Sequence, residues 1–330
     1  MNATAPGSSP AEDSRKLAAA RWAADVAGLE SVALEPVSGD ASFRRYFRFT
    51  TGSRSVILMD APPEKENSAP FIDIAARLRR AGLRAPEVFE FDLDRGFCLL
   101  EDFGDTLYRE LINDESAHAI FSELLDVLNG MARRVDTTGL PQYDDHTLLQ
   151  ELDLFRSWYL ERHRARVLDA GEKRLWTSVC RLLVDSAREQ PQVFVHKDFH
   201  SCNLLETPFG PGIIDFQDGL LGPVSYDFVS LVWDRYIAWP RERIEHWMQQ
   251  SREMLPVNVS ASQWVRYCDW MGLQRNLKIV GIFARLGHRD KKEGYIEMVP
   301  RFYRYLLDVL PRYPEFSEFL QFLEQPECAP

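Results

Sequence analysis

No stretch of the 330-residue chain approaches the roughly 18 consecutive apolar residues that a membrane-spanning helix needs. The opening MNATAPGSSPAEDSRK likewise lacks the apolar core of a secretory signal, and its small, Pro- and Ser-rich composition reads as a disordered lead over 1–15. Cysteine is scarce: the five, at 98, 180, 202, 268 and 328, are odd in number and widely spaced, with no C-x-x-C and no histidines at zinc-finger spacing. A disulfide framework and a structural zinc site are therefore excluded, and the thiols read as free groups in a reducing cytoplasm. Positive charge is also short, 39 Lys and Arg against 50 Asp and Glu for a net charge of −11. That balance is the opposite of what a protein built to neutralise nucleic-acid phosphates carries. No period of about 20 to 50 residues repeats, which sets aside solenoids and propellers. What is present is a chain 45% hydrophobic, enough to bury a sizeable core in two lobes. It reads as an acidic cytoplasmic enzyme of small metabolites, a monomer or weak dimer with no nucleic-acid and no membrane partner.

The organisation is lopsided. β-rich runs around 32–37, 43–50 and 54–59, broken by Ser38-Gly39-Asp40 and Thr51-Gly52-Ser53, predict an antiparallel meander. A helix follows with apolar residues at Phe71, Ile74, Ala75, Leu78 and Leu83 and with Pro70 in its first turn, then two strands in PEVFEFD and GFCLLED. Beyond Asp105 the pattern turns helical, over roughly 106–113, 115–135, 147–168, 172–189, 225–238, 240–255, 261–288 and 298–311. Only VFVH, NLLE and GIIDF, between 193 and 216, interrupt it as short β-like segments. The fold class is α+β: a small antiparallel-sheet N-lobe over 16–103, and a larger, mainly helical C-lobe over 104–330 with a hairpin-like insert.

The insert gathers the chemistry. Asp198 and Asn203 in HKDFHSCN are followed by Asp215 in IIDFQDG. Taken singly, an Asp or Asn in a loop is ordinarily a turn or cap residue. Taken together, His-x-Asp, four intervening residues, Asn, and then Ile-Asp-Phe about a dozen residues on is the kinase catalytic-loop signature with its metal-binding Asp. Phosphoryl transfer needs that set: a carboxylate that orients and takes the proton of an attacking hydroxyl, and oxygen ligands for Mg²⁺ bridging ATP phosphates. An amide and a carboxylate on adjacent hairpin strands are in reach of one ion.

With this loop placed after a sheet lobe, the chain resembles the aminoglycoside phosphotransferase and choline kinase family, small-molecule relatives of protein kinases, over nearly all of its length beyond residue 30. SGDASFRRYFR, MDAPP, RGFCLLEDFG, VFVHKDF, DFQDGLLGPVSYD and LKIVGIFARLGHRD are together similar to the family's anomeric amino-sugar kinases. Those enzymes phosphorylate O1 of N-acetylmuramate and N-acetylglucosamine with ATP in peptidoglycan recycling. The resemblance implies a protein-kinase-like two-lobe fold, Asp198 as catalytic base, Asn203 and Asp215 as magnesium ligands and His196 as a scaffold of the loop.

It also implies roles for each lobe. Ser38 to Phe43 takes the place of the glycine-rich loop with one Gly, and the small residues leave room for phosphates near Ser42 and Phe43. A plain hairpin turn explains the same letters. Met59-Asp60 stands where protein kinases carry a phosphate-gripping lysine. Arg44, Arg45 or Arg48 is left to supply the charge, with Arg45 favoured because Phe47 on its face is expected to point to the core. CLLEDFG reads as the hinge where Leu100, Glu101 and Asp102 meet adenine. For the amino-sugar acceptor the expected contacts are His200, Asp227, Arg275, Lys278 and Arg285. The last three recur with Arg289 on one helix face, which is either a solvated stripe or a site for the lactyl carboxylate of N-acetylmuramate. Trp233, Tyr236 and Trp239 stack on the sugar or belong to the core.

Overall fold

A computed structural model of the chain describes residues 10–37, 43–256 and 258–330, with side chains from residue 14. The chain divides into two compact units, one running to Thr106 and taking in Leu205–Asp218, the other made of Leu107–Leu204 and Gly219–Pro330. The sequence reading had assigned everything from 104 onward to the second lobe. The return of 205–218 to the first unit is a long-range event with no compositional trace.

The first unit begins with a correction. Pro10–Ala27 is a helix, α1, where a disordered lead was expected over 1–15; residues 1–9 lie outside the described residues. Its alanine-rich sequence has high helix propensity, and the buried Ala19, Trp22 and Ala23 pack on Phe47, Phe49, Val56, Leu58, Phe97 and Leu99. These side chains come from β2 (Arg45–Thr51), β3 (Arg54–Asp60) and β5 (Phe97–Glu101), which with β1 (Glu35–Val37) and β4 (Val88–Asp92) form a sheet in the order β1-β2-β3-β5-β4. All the pairings are antiparallel, with Arg45 opposite Asp60 and Leu58 opposite Leu99. Helix α2 (Ala69–Arg80) buries Phe71, Ile74, Ala75 and Leu78, as the sequence spacing predicted. Gly96 has φ +73°, and a Cβ there would lie 1.8 Å from the Ala61 carbonyl oxygen, so only glycine closes this turn.

The second unit is built around one long helix. Its elements are α3 (Tyr108–Leu111), α4 (Ala117–Arg134), α5 (Asp145–Leu154), α6 (Ala170–Glu189), β6 (Gln192–Val195), α7 (Tyr226–Val232), α8 (Arg241–Met254), α9 (Ala261–His288), α10 (Val299–Val309) and α11 (Ser317–Leu323). Strand β7 (Leu204–Leu205) crosses the division and pairs with β8 (Gly212–Ile213), and β9 (Leu220–Pro223) returns antiparallel to β6. The single run expected over 147–168 is α5 passing directly into a π-helix at Phe155–His163. α9 packs on α5, this π-helix, α6, α7, α8 and α10. Gly281 makes one of the close approaches, because a Cβ there would lie 2.3 Å from the Leu154 carbonyl carbon. The helix expected over 225–238 stops at Val232, and the following residues leave the helix.

Candidate active site

Strand β6 ends at Val195, and its continuation is held by backbone hydrogen bonds to a buried carboxylate. The N–H groups of His196 and Lys197 donate to Asp227 of α7 at 2.6 and 3.1 Å. Lys197 adopts φ +76°, a left-handed conformation that a lysine tolerates only when its surroundings hold it. Asp198 then donates its N–H to His196 Nδ1 at 3.2 Å, which makes that nitrogen an acceptor on a fully buried ring. The Asp198 carbonyl accepts from the His200 N–H at 3.0 Å and from the Asn203 side-chain amide at 2.9 Å. His196 is therefore the scaffold the sequence suggested, and Asp198 stands exposed at the apex of a tightly closed loop. With Nδ2 spent on the Asp198 carbonyl, the Asn203 amide turns its oxygen, the atom a hard cation takes, to the other side.

Positive charge surrounds the apex. Desolvation by the protein pushes the Asp198 carboxyl up, but Lys278, His200, Arg275 and His196 outweigh it and hold the group below the ordinary carboxylate range. Lys278 is itself held by Glu151, 3.0 Å from its Nζ, and donates to the Tyr226 hydroxyl at 3.1 Å. Lys197 reaches the same Glu151 at 3.0 Å, and Tyr143 and Gln274 also donate to it. Burial raises the Glu151 carboxyl, yet the two lysines win and keep it ionised. His200 is pushed down by burial despite the nearby carboxylates of Asp234 and Asp198, and its buried Nδ1 has no hydrogen-bond partner among the described residues.

Several of the expected substrate contacts have partners within the protein. Asp227 is buried and bonded to the loop backbone, where burial pushes its carboxyl up to about 7 against the two N–H donors; it braces the loop. Lys278 is committed to Glu151. Arg275 is buried and donates to the Trp233 carbonyl at 3.5 Å. Arg285 lies about 15 Å further along α9 at helical rise, and Arg289 is exposed and paired with Asp290. The basic stripe thus splits: its first half acts on Asp198 and its second half does not. Trp233 and Trp239 are core residues, while Tyr236 is exposed.

In the first unit, Asp215 follows β8 with φ +62° and accepts from the Gln217 side chain at 2.8 Å. It is fixed by Phe216, fully buried and stacked on Phe71 with centroids 4.9 Å apart. Ser42 lies outside the described residues; Phe43 is exposed with the Lys65 ammonium 4.6 Å from its ring. Arg45 is corrected. It lies on the α1-covered face with Phe47, as alternation requires, and pairs with the buried Asp60, which Arg15 of α1 also takes at 2.7 Å. Arg44 is the buried guanidinium of the opposite face, 3.0 Å from Glu66, and the burial-raised hydroxyl of Tyr46 feels both its charge and that of Asp215. At the hinge, Leu100 is buried, Glu101 donates its N–H to the Glu87 carbonyl and pairs with Arg84, and the Asp102 carboxylate takes Arg48, Ser55 and the Gly104 N–H. The side chains of Glu101 and Asp102 are therefore structural.

The sequence reading missed Glu151, Tyr143 and Asp234. Glu151 and Asp234 lie in stretches that read as helical and Tyr143 in the connection before one of them, and only the tertiary fold supplies their partners.

Residues 33–257 match the phosphotransferase enzyme family. The chain is 43% identical over 290 residues to the N-acetylmuramate/N-acetylglucosamine kinase of Pseudomonas aeruginosa, covering 86% of each, and 41% identical over 289 residues to that of Pseudomonas putida, covering 86% of this chain and 85% of the relative. Among solved structures it is similar to an ethanolamine kinase of Plasmodium vivax, with a TM-score of 0.63 at 12% identity, covering 86% of this chain and 85% of that one. This last likeness concerns the fold.

Proposed function

The chain belongs to the phosphotransferase enzyme family, and from that membership we propose that it transfers the γ-phosphoryl group of ATP to the anomeric O1 hydroxyl of N-acetylmuramate and N-acetylglucosamine. What carries the reading is Asp198, exposed and held ionised at the apex of a braced loop, in a chain so similar to curated kinases of these sugars. Asp198 orients the O1 hydroxyl and takes its proton as the O1–P bond forms. The bond from the γ-phosphorus to the bridging oxygen breaks, and ADP and a sugar 1-phosphate leave.

Asn203 and Asp215 are the proposed magnesium ligands. Among the described residues no three His, Cys, Asp or Glu side chains cluster as a metal cage; Mg²⁺ needs none, since one or two side-chain oxygens, waters and phosphates complete its shell. Both residues offer oxygen, which suits that ion. When bound, the ion neutralises phosphate charge. Arg44, not Arg45, is the proposed substitute for the strand lysine, because it shares the face of Tyr46 within electrostatic reach of Asp215. Lys278, Arg275 and His200 around Asp198 disfavour a cationic acceptor such as choline or an aminoglycoside.

No described helix is long and apolar enough to cross a membrane, and a cytoplasmic monomer or weak dimer, acting on a small amino sugar, belongs to the same proposal. The test is ADP release with N-acetylmuramate by the wild type and by Asp198→Asn. Loss of a general base costs about 10²–10⁴-fold; equal rates for the two proteins contradict the assignment.

A further inference from the structure

The residue next to the proposed base is a lysine in a conformation that lysine disfavours. At φ +76° the Cβ of Lys197 crowds its own backbone, so the left-handed turn before Asp198 persists only while something holds it. Two contacts do so. The Lys197 N–H donates to Asp227 at 3.1 Å, and the Lys197 ammonium lies 3.0 Å from Glu151 Oε1. The second contact comes from α5, 46 residues earlier in the chain, and the phosphoryl-transfer chemistry gives it no part.

Glu151 is itself firmly held. Its Oε2 accepts from the Tyr143 hydroxyl and from Gln274 Nε2, both on fully buried side chains. Its Oε1 takes a second ammonium, that of Lys278 on α9, also at 3.0 Å. One carboxylate thus ties the loop to α5 and α9. The side chains of Glu151, Lys197 and Lys278 are 13, 17 and 13% exposed, so solvent screens their charges only weakly. The two ammoniums share one oxygen and lie within twice 3.0 Å of each other, and without the carboxylate they repel. Lys278 then keeps an acceptor in the Tyr226 hydroxyl at 3.1 Å, whereas Lys197 faces the Tyr143 ring, 5.3 Å from its centroid. Lys197 is therefore the one released, and the turn that presents Asp198 relaxes with it.

We infer that Glu151 is a positioning residue for phosphoryl transfer: through Lys197 it fixes the backbone turn that sets Asp198 against the acceptor hydroxyl. The inference rests on the functional reading above. Glu151 acts at one remove, from a carboxylate whose oxygens are occupied by Lys197, Lys278, Tyr143 and Gln274. A misplacement of about 1 Å at a reacting group costs on the order of 10²-fold in rate. A group needed only as the bond forms lowers kcat and leaves KM where it was.

The test is steady-state ADP release with each sugar in Glu151→Gln, Glu151→Asp, Lys197→Met, Lys197→Gly and the double variant Glu151→Gln with Lys197→Gly. Glutamine keeps the shape of the side chain and removes its charge, so kcat falls about 10- to 100-fold with KM for ATP and sugar unchanged. Aspartate keeps the charge and retains more of kcat than glutamine does. Methionine at 197 keeps the crowded turn without its tie, and kcat falls as for Glu151→Gln. Glycine adopts the left-handed turn unaided, so Lys197→Gly turns over faster than Lys197→Met, by about tenfold. In the glycine background Glu151→Gln costs less than it does alone, because the route through Lys197 is already gone. A kcat for Lys197→Gly no higher than that for Lys197→Met overturns the inference, as does a loss from Glu151→Gln that is equal in both backgrounds or carried by KM. The two Lys197 variants leave the buried carboxylate in place, so their comparison decides the matter even where Glu151→Gln does not fold. A wild type that phosphorylates neither sugar overturns the functional reading; an active wild type with the contrary outcomes overturns this inference alone.

Discussion

At Asp198, the proposed base, desolvation by the surrounding protein and the charge of its neighbours pull in opposite directions. Alone, a desolvated carboxyl is protonated more readily and makes a poorer anchor for a hydroxyl; four cationic or polar neighbours, led by Lys278, reverse that. Since its pKa is lowered, the base stays ionised through the neutral range, and the acidic limb of kcat/KM lies below the ordinary carboxylate value. Removing the largest favourable charge with Lys278→Met raises the Asp198 pKa, so the acidic limb moves to higher pH. A profile measured between pH 4 and 8 on both proteins checks the sign, and an unmoved limb contradicts the role given to Lys278. At this scale the spacing of Asp198, Asn203 and Asp215 is what proposes the site from the sequence, and the structure adds how the Asp198 loop is braced. The sequence was silent on Glu151, which holds Lys197 and Lys278 from a helix far away in the chain. Arg45 shows the limit in between: alternation separated Arg45 from Arg44, but only α1, which covers the Phe47 face, decided which face was which.

Among the elements, α9 carries the positioning. It brings Arg275 and Lys278 to the apex and lies against the junction of α5 with the π-helix, where Gly281 meets the backbone of Leu154 and Phe155. Two effects of Gly281→Ala oppose each other. Alanine gains about 1 kcal/mol of helix propensity, but a Cβ 2.3 Å from a carbonyl carbon meets backbone, not a rotatable side-chain end, and overpacking costs about 1–3 kcal/mol or more. The clash wins, so the variant unfolds at lower denaturant than the wild type; equal or greater stability contradicts the close approach. The sequence read the helical character of this region, the sheet meander and the apolar face of α2. It did not read the π-helix, because the transition from α5 changes backbone register without changing residue types. It missed α1 because alanines that bury little area leave a weak amphipathic signal.

For the molecule as a whole, the division of labour follows chain order only in part. Leu205–Asp218 returns to the first unit and carries Asp215 there, within electrostatic reach of Tyr46, while Asp198 and Asn203 remain in the second unit. A signature of about twenty residues is thus distributed over both units. The family is legible in this signature, and the likeness to amino-sugar kinases in six collinear motifs, because both are written in local strings; the boundary is written in contacts. The measurement that tests the central claim most directly is phosphorus NMR of the product formed from ATP, Mg²⁺ and N-acetylmuramate, and from N-acetylglucosamine. The account predicts one new resonance coupled to the anomeric proton and loss of the reducing end, with neither seen for Asp198→Asn over the same time. Phosphate on O6, or turnover of ATP with a different alcohol and none with either sugar, contradicts it.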